Sequence, residues 1–289
     1  MDKMFINHEL VDMKDAKVSI MDRGYVFGDG VYEVIRFYNG KTFKLDEHLI
    51  RFQNSVHGID INYNFEMDIM KSEIDYLIKN SGYKSGYIYA QMTRGVGKRD
   101  HIYVGKELSK PQYIVYAVQE EERPLEVMKK GIKVLLTEDM RWLRCDIKSL
   151  NLLGSVIAKN EAFKRGAKEA VLHRNGYITE GSATNVFVVK KGTLYTHPAN
   201  NLILNGITRL TIIDIAKELG IPVIETPFLV DFFKEADEAF TSASVSEISP
   251  IIEYVEVING EEIIREIGGG VRGDITKSIQ EKFGEKIGK

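Results

Sequence analysis

Four short segments hold residues whose types and spacing could do chemistry. In RCDIKSLNLLG a single lysine, Lys148, stands between a polar approach (Arg144, Cys145, Asp146) and a run where a helix is expected to start. Burial at such a junction lowers a lysine's pKa and frees its amine as a nucleophile. In ITEGSATN the carboxylate of Glu180 is followed by Gly181, Ser182 and Thr184, an acid joined to a flexible, hydroxyl-bearing turn. In NGITRLTII, Gly206 precedes Ile207 and Thr208 at a helix start, where free NH groups and the helix dipole favour a phosphate. In TRGVGKRDHIY, Arg99 and His101 lie two residues apart, so an extended segment points both to one side, where they can grip one carboxylate. Taken singly, each has an ordinary explanation: a solvated lysine, a polar turn, a helix start, a charged loop. Together they supply an amine, an acid, an anion cup and a carboxylate clamp.

The elements that must position them can be read from patterning. VYEVIRFY and KTFKL alternate across Asn39-Gly40, a strong hairpin signal. Asp46 is then expected to cap a helix carrying His48 and Arg51, a second helix covers about 66–80, and GYIYAQMTRG and PQYIVYAVQE read as strands. The polar stretch around 119–131 is the expected linker, which puts a smaller domain over 1–120, a connection over 121–125 and a larger domain over 126–289. Beyond it the pattern predicts a strand at GIKVLLTED, a helix over 149–165, paired strands across Lys191-Gly192, a helix at ITRLTIIDIAKELG, a hairpin at Asn259-Gly260 and a closing helix from 269. Two mixed α/β domains place the default ligand cleft between them.

Composition excludes several classes. A chain of 289 residues with 44% hydrophobic and 28% charged content is globular, and a formal net charge of −3 without a basic run gives no footprint for nucleic acid. No stretch reaches the roughly 18 apolar residues that span a bilayer, and the N-terminus has no signal core, so a cytoplasmic protein is expected. The single cysteine, Cys145, and six dispersed histidines offer no disulfide and no metal site. The glycines of VFGDGVYE lack the third glycine and the following helix of a dinucleotide fingerprint, and Gly268 to Gly270 reads more simply as a loop than as an anion cradle.

RCDIKSLNLLG, TEGSATNVF, NGITR, TSASVSEISP and DRGYVFGDGVYE, in that company and colinear over nearly the whole chain, closely resemble the fold-type IV, or class IV, pyridoxal-phosphate aminotransferases. The resemblance implies a two-domain fold with the cofactor, pyridoxal 5'-phosphate, in the cleft between domains. It implies that Lys148 takes the cofactor covalently and then shuttles the substrate proton. Glu180 matches the carboxylate that faces the pyridine nitrogen, where a negative charge holds the proton that makes the ring an electron sink. Arg51 matches a phosphate-binding arginine, joined by the NH groups of Ile207 and Thr208, the Thr208 hydroxyl, Ser182 and Ser244. Tyr32 matches a tyrosine beside the cofactor on the substrate side, and Leu204 a side chain packed on the ring's other face. Ala183 and Ala243 depart from the pattern, each standing where serine is frequent; backbone NH groups can serve there, with a modest loss of cofactor affinity.

These cofactor motifs do not choose a substrate, because branched-chain L-aminotransferases and R-selective amine transaminases share them. Arg99-x-His101 resembles the carboxylate trap of the family branch that acts on D-amino acids, where the loop reaches the active site of the other subunit. That implies a homodimer exchanging amino groups between D-amino acids, such as D-alanine and D-glutamate, and 2-oxo acids. The alternatives are a branched-chain L- or amine transaminase, or a catalytically silent protein that binds the cofactor.

Overall fold

A computed structural model describes residues 3–103 and 110–289. The chain forms two compact units: residues 1–122 with Ile147–Asn151, and Arg123–Asp146 with Leu152–Lys289. A division at 121–125 by chain order assigns Ile147–Asn151 to the second unit; the fold counts it with the first.

The first unit is built on an antiparallel sheet of six strands in the order Glu9–Asp12, Lys3–Ile6, Gln112–Gln119, Gly86–Thr93, Gly30–Tyr38, Lys41–Thr42. Asn39 and Gly40 close the last hairpin with φ of 49° and 73°, the left-handed pair that a two-residue turn between right-twisted strands requires. Helices Leu45–Gly58 and Met67–Ser81 supply the rest of its core, in which Phe52, Val56, Met70 and Ile74 pack with Ile35, Phe37 and Ile88. Asp46 lies inside the first of these helices, where its charge favours the dipole; Lys44 holds the N-cap position with φ 58° and makes no capping bond.

The second unit carries nine strands, eight of them in the order Val223–Glu225, Thr193–Thr196, Asn185–Lys190, Glu238–Ala243, Glu247–Ile258, Ile132–Glu138, Glu169–Arg174, Tyr177–Gly181. The ninth, Glu261–Glu266, pairs with Glu247–Ile258 across the Asn259-Gly260 turn. Buried Val186, Val188, Ala239, Ile251 and Phe233 belong to one core cluster of this unit. The ITEG segment is thus a strand, and the turn begins only at Ser182. The helix expected from 149 starts at Leu153, because the residues before it are taken up by pairing with the first unit's sheet. The closing helix spans Asp274–Ile287, since Gly268, Gly269 and Gly270 all have positive φ and break the chain direction before it. The expected linker holds a short helix, Leu125–Lys129. Among the described residues no helix is long and apolar enough to cross a membrane.

Candidate active site

Lys148 owes its place to backbone bonds. Tyr32 NH donates to the Lys148 carbonyl at 2.9 Å and Leu150 NH to the Gly30 carbonyl at 2.9 Å, so the segment runs along the start of strand Gly30–Tyr38. The Ser55 hydroxyl accepts the Lys148 NH at 3.2 Å from helix Leu45–Gly58. Only glycine fits at position 30: a Cβ there would stand 2.6 Å from the Met92 carbonyl and 2.8 Å from the Leu150 side chain. The half-buried amine of Lys148 lies 4.2 Å from the centre of the Tyr32 ring. Tyr32 stacks on Tyr89 at 5.9 Å, and Tyr89 meets Tyr116 at 5.2 Å. Burial and the neighbouring tyrosines push the Tyr89 phenol well above its usual range, so it stays a neutral donor, bonded to Gln91 at 2.8 Å.

The opposite face of the same strand explains Arg51. Residues 31, 33, 35 and 37 point into the core, and three of them are Val, Ile and Phe. The fourth, Glu33, is a fully buried carboxylate. Arg51 closes on it with both edges of the fork, Nε to Oε2 at 2.9 Å and Nη2 to Oε1 at 2.6 Å, and His48 one turn earlier adds Nδ1 at 3.0 Å from Oε1. Burial opposes ionisation of Glu33, but the Arg51 charge and the bonds from Arg51 and His48 hold it well below the usual carboxylate range. Arg51 is therefore a guanidinium in a fixed orientation.

Arg99 and His101 come together on one ring: the Arg99 guanidinium and the His101 imidazole each lie 5.5 Å from the centre of Phe27. Both side chains are exposed.

In the second unit Glu180 is the next-to-last residue of strand Tyr177–Gly181 and is 4% exposed. Arg141 Nη1 donates to Oε1 at 2.5 Å; Asn185 Nδ2 and the Leu204 NH donate to Oε2 at 2.9 and 3.1 Å. A carboxylate accepts about four hydrogen bonds, so one acceptor position remains for a further donor. Burial pushes Glu180 up to about 7, with Arg141 pulling against it. Arg141 is itself seated on Asp139 at 2.9 Å; burial opposes the Asp139 charge, but Arg141 outweighs it and holds the group at about 2. Asn185 also donates to the Leu204 carbonyl at 2.8 Å, which fixes Leu204 against Glu180. A Cβ on Gly206 would come within 2.2 Å of Asn185 Oδ1, and Gly206 is the N-cap of helix Ile207–Glu218, with no side chain on the first-turn NH groups.

Nearby in the sheet, Ser242 pairs with Asn185, and Ala243 and Ser244 follow at the end of that strand. The buried hydroxyls of Thr184, Ser242 and Ser246 have no protein partner. The Ser182 hydroxyl, in contrast, donates to buried Glu169, and Ala183 is exposed.

A phosphorylated heterocycle fits these groups. Uncapped helix NH groups and unpartnered hydroxyls suit phosphate, and a carboxylate with one open acceptor position suits a protonated ring nitrogen. Sequence reasoning missed Glu33, Arg141 and Asn185. Glu33 had a signal, a charge in a core-facing strand position; Arg141 had none, because the group it closes on lies in a strand far along the chain.

The class IV amino-transferase family matches residues 30–254, and the chain belongs to that family. It is 46% identical over 289 residues to a D-alanine aminotransferase of Staphylococcus aureus (strain N315), with 99% of this chain and 98% of that protein covered. It is 43% identical to a D-alanine aminotransferase of Listeria monocytogenes serotype 1/2a (strain 10403S), covering 99% and 96%. Among solved structures it is similar to the branched-chain amino acid aminotransferase of Escherichia coli, with TM-score 0.84, 30% identity and coverage of 99% and 95%. It is also similar to the branched-chain amino acid aminotransferase of Thermobaculum terrenum in its PLP form, with TM-score 0.85, 26% identity and coverage of 99% and 94%.

Proposed function

We propose that this aminotransferase works on D-amino acids, taking the amino group from D-alanine or D-glutamate and giving it to 2-oxoglutarate or pyruvate. The observation that carries this is the pairing of Arg99 and His101 on Phe27, a guanidinium and an imidazole side by side on one exposed loop. The curated relatives named for D-alanine support the same reading. Pyridoxal phosphate is the cofactor; when bound it serves as the acceptor of the amino group and the sink for electrons released at the substrate Cα.

The chain's own residues do the rest. Lys148 holds the cofactor through its amine and then moves the proton from the substrate Cα, with the Tyr32 ring at 4.2 Å limiting where that amine can swing. Glu180 keeps the ring nitrogen protonated. Arg51 binds the phosphate, as do the Ile207 and Thr208 NH groups, the Thr208 hydroxyl and the turn at Ala243 and Ser244. Ala183 contributes there through its backbone NH, whereas Ser182 serves by shaping the turn, its hydroxyl committed to Glu169 and its NH to the Ala170 carbonyl at 3.2 Å. Leu204 packs on the ring.

The geometry of deprotonation sets the hand. Lysine takes a hydrogen only from its own side of Cα, so the end at which the carboxylate is clamped decides which enantiomer presents that hydrogen. We assign the clamp to a homodimer in which Arg99 and His101 reach the partner's substrate. Exposed Tyr25 and Ile102, on the segments that carry Phe27 and His101, suit such an interface, as do exposed Leu153 and Phe163 on helix Leu153–Lys164. A cytoplasmic setting accords with one cysteine and no disulfide.

The likeness to branched-chain enzymes supports a second reading, in which L-leucine or L-valine is the donor. Half-reactions with matched D- and L-amino acids, followed by cofactor absorbance, decide between them. Conversion of the cofactor by D-alanine faster than by any L-branched-chain amino acid is expected, and the reverse order overturns the assignment.

A further inference from the structure

The loop that carries Arg99 and His101 is exposed, yet it is anchored from below by an unusual group. Asp29 holds two arginines on one carboxylate: Arg23 Nε at 2.8 Å on Oδ2, Arg94 Nε at 2.9 Å on the same oxygen, and Arg94 Nη2 at 3.0 Å on Oδ1. All three side chains are largely buried, with 14% of Asp29, 4% of Arg23 and 7% of Arg94 exposed. Each arginine also donates to the loop or its seat. Arg23 Nη1 donates to the Asp100 carbonyl at 2.6 Å, the peptide between Arg99 and His101. Arg94 donates to the carbonyls of Ile59 and Asp60 at 2.5 and 3.0 Å, and its guanidinium lies 3.9 Å from the centre of the Tyr103 ring. The Tyr103 hydroxyl returns to Asp60 at 3.0 Å. Arg23 also lies 4.9 Å from the centre of Phe27, the ring that Arg99 and His101 share.

We infer that Asp29 is a positioning residue for the substrate carboxylate clamp: through Arg23 and Arg94 it fixes the peptide that follows Asp100, between Arg99 and His101, and seats the flanking Tyr103. This rests on the reading of Arg99 and His101 as that clamp. The reasoning is electrostatic and geometric. Three cations, Arg23, Arg94 and Arg99, crowd this region, and Asp29 is the carboxylate that joins two of them. Without its charge, Arg23 and Arg94 repel each other across a buried gap, and Arg23 loses the direction that aims Nη1 at Asp100. A clamp on an exposed loop needs such a support, because an error near 1 Å at the gripping atoms is enough to cost about 100-fold.

The test uses the loaded enzyme and the variants Asp29→Asn and Arg23→Lys. Lysine keeps the charge of Arg23 but cannot hold Asp29 and the Asp100 carbonyl together. Both variants are expected to raise KM for D-alanine, with kcat/KM falling roughly 10- to 100-fold for Asp29→Asn and less for Arg23→Lys. Isopropylamine, which has no carboxylate, should be turned over as by the parent. In an Arg99→Ala/His101→Ala background the same two changes should cost no more than about twofold, since a positioning residue has nothing left to position. Hydrogen exchange at residues 100–102 without substrate should quicken in Asp29→Asn. Equal losses for D-alanine and isopropylamine, a full effect in the clampless background, or unchanged exchange overturns the inference. If Asp29→Asn does not fold, Arg23→Lys carries every arm. Should Arg99→Ala alone leave D-alanine turnover unchanged, the clamp reading fails, while the exchange arm still decides whether Asp29 orders the loop.

Discussion

Arg141→Met isolates what one guanidinium does for Glu180. Arg141 Nη1 lies 2.5 Å from Glu180 Oε1, and both side chains are buried. Two unit charges 4 Å apart interact by about 4 kcal/mol at an effective dielectric near 20, which corresponds to about three pKa units at roughly 1.36 kcal/mol each. Glu180 already stands at about 7 with the arginine present, because burial opposes its charge. Removing the arginine therefore keeps Glu180 protonated through neutral pH, and a protonated carboxyl cannot hold a proton on a ring nitrogen. The D-alanine half-reaction at pH 7 should fall about 10²- to 10³-fold, the scale of losing one well-placed charge. The rate should then recover as pH rises by about three units. Glu180→Gln has no proton to lose and cannot recover, so the two pH profiles separate the arginine's effect from that of simple damage. Arg141→Lys, which keeps a charge, should retain much of the neutral-pH rate. Asp139 would otherwise be left beside Glu180 with Arg174 at 3.3 Å as its partner, so Asp139→Asn/Arg141→Met should show the smaller displacement of the two. Stopped-flow absorbance from pH 6 to 10, with a thermal melt for each variant, is the assay. A profile for Arg141→Met that overlays the parent's, or a uniform loss without alkaline recovery, refutes the reasoning.

Lys148→Ala should abolish turnover at neutral pH while the protein folds and binds the cofactor noncovalently; borohydride reduction of the parent should label the Lys148 peptide, and a label elsewhere contradicts the assignment. Glu180→Gln should cost about 10²- to 10³-fold in the half-reaction. Because burial raises Glu180 from 4.5 to about 7, the folded cofactor-free protein binds that proton more tightly than the unfolded chain. Its contribution is fully present below pH 4.5, is lost as pH rises to 7 and is level above, a change on the order of 3 kcal/mol; urea midpoints of parent and Glu180→Gln with the same pH slope would sink this. Arg99→Ala should cost roughly 2 to 4 kcal/mol, or about 30- to 1,000-fold in kcat/KM for D-alanine, and His101→Ala less, because an imidazole cannot grip a carboxylate with the two-pronged fork of a guanidinium. Glu33→Gln should weaken cofactor binding and lower stability by about 3 to 5 kcal/mol, since it removes the buried charge onto which the Arg51 guanidinium is forked; equilibrium dialysis and urea melts read both, and an unchanged cofactor affinity would detach Arg51 from the phosphate.

How much of this was legible in the sequence depended on whether the deciding interaction was local. Asn39-Gly40, Lys191-Gly192 and Asn259-Gly260 announce their hairpins because a left-handed residue pair is a property of the turn itself. The Asn7-His8 turn, with φ of 50° and 70°, has the same geometry without a glycine, and its strands Lys3–Ile6 and Glu9–Asp12 went unread. Lys148 and Glu180 stood out through the motifs around them, but their settings did not. The helix after Lys148 starts late because Lys148 and Leu150 bond to strand Gly30–Tyr38, a partner far away in sequence. Arg51 was legible as a cation on a helix, whereas its orientation comes from Glu33, which sequence patterning treats only as a flaw in an apolar strand face. The same holds for Arg99 and His101: spacing placed them together, but Asp29 and Arg23 from a distant segment, with Arg94 at the start of their own, hold the loop they stand on. The residues that perform a step are of distinctive type and sit in short motifs. Those that aim them are ordinary carboxylates and arginines, made specific by the partner each one meets after folding.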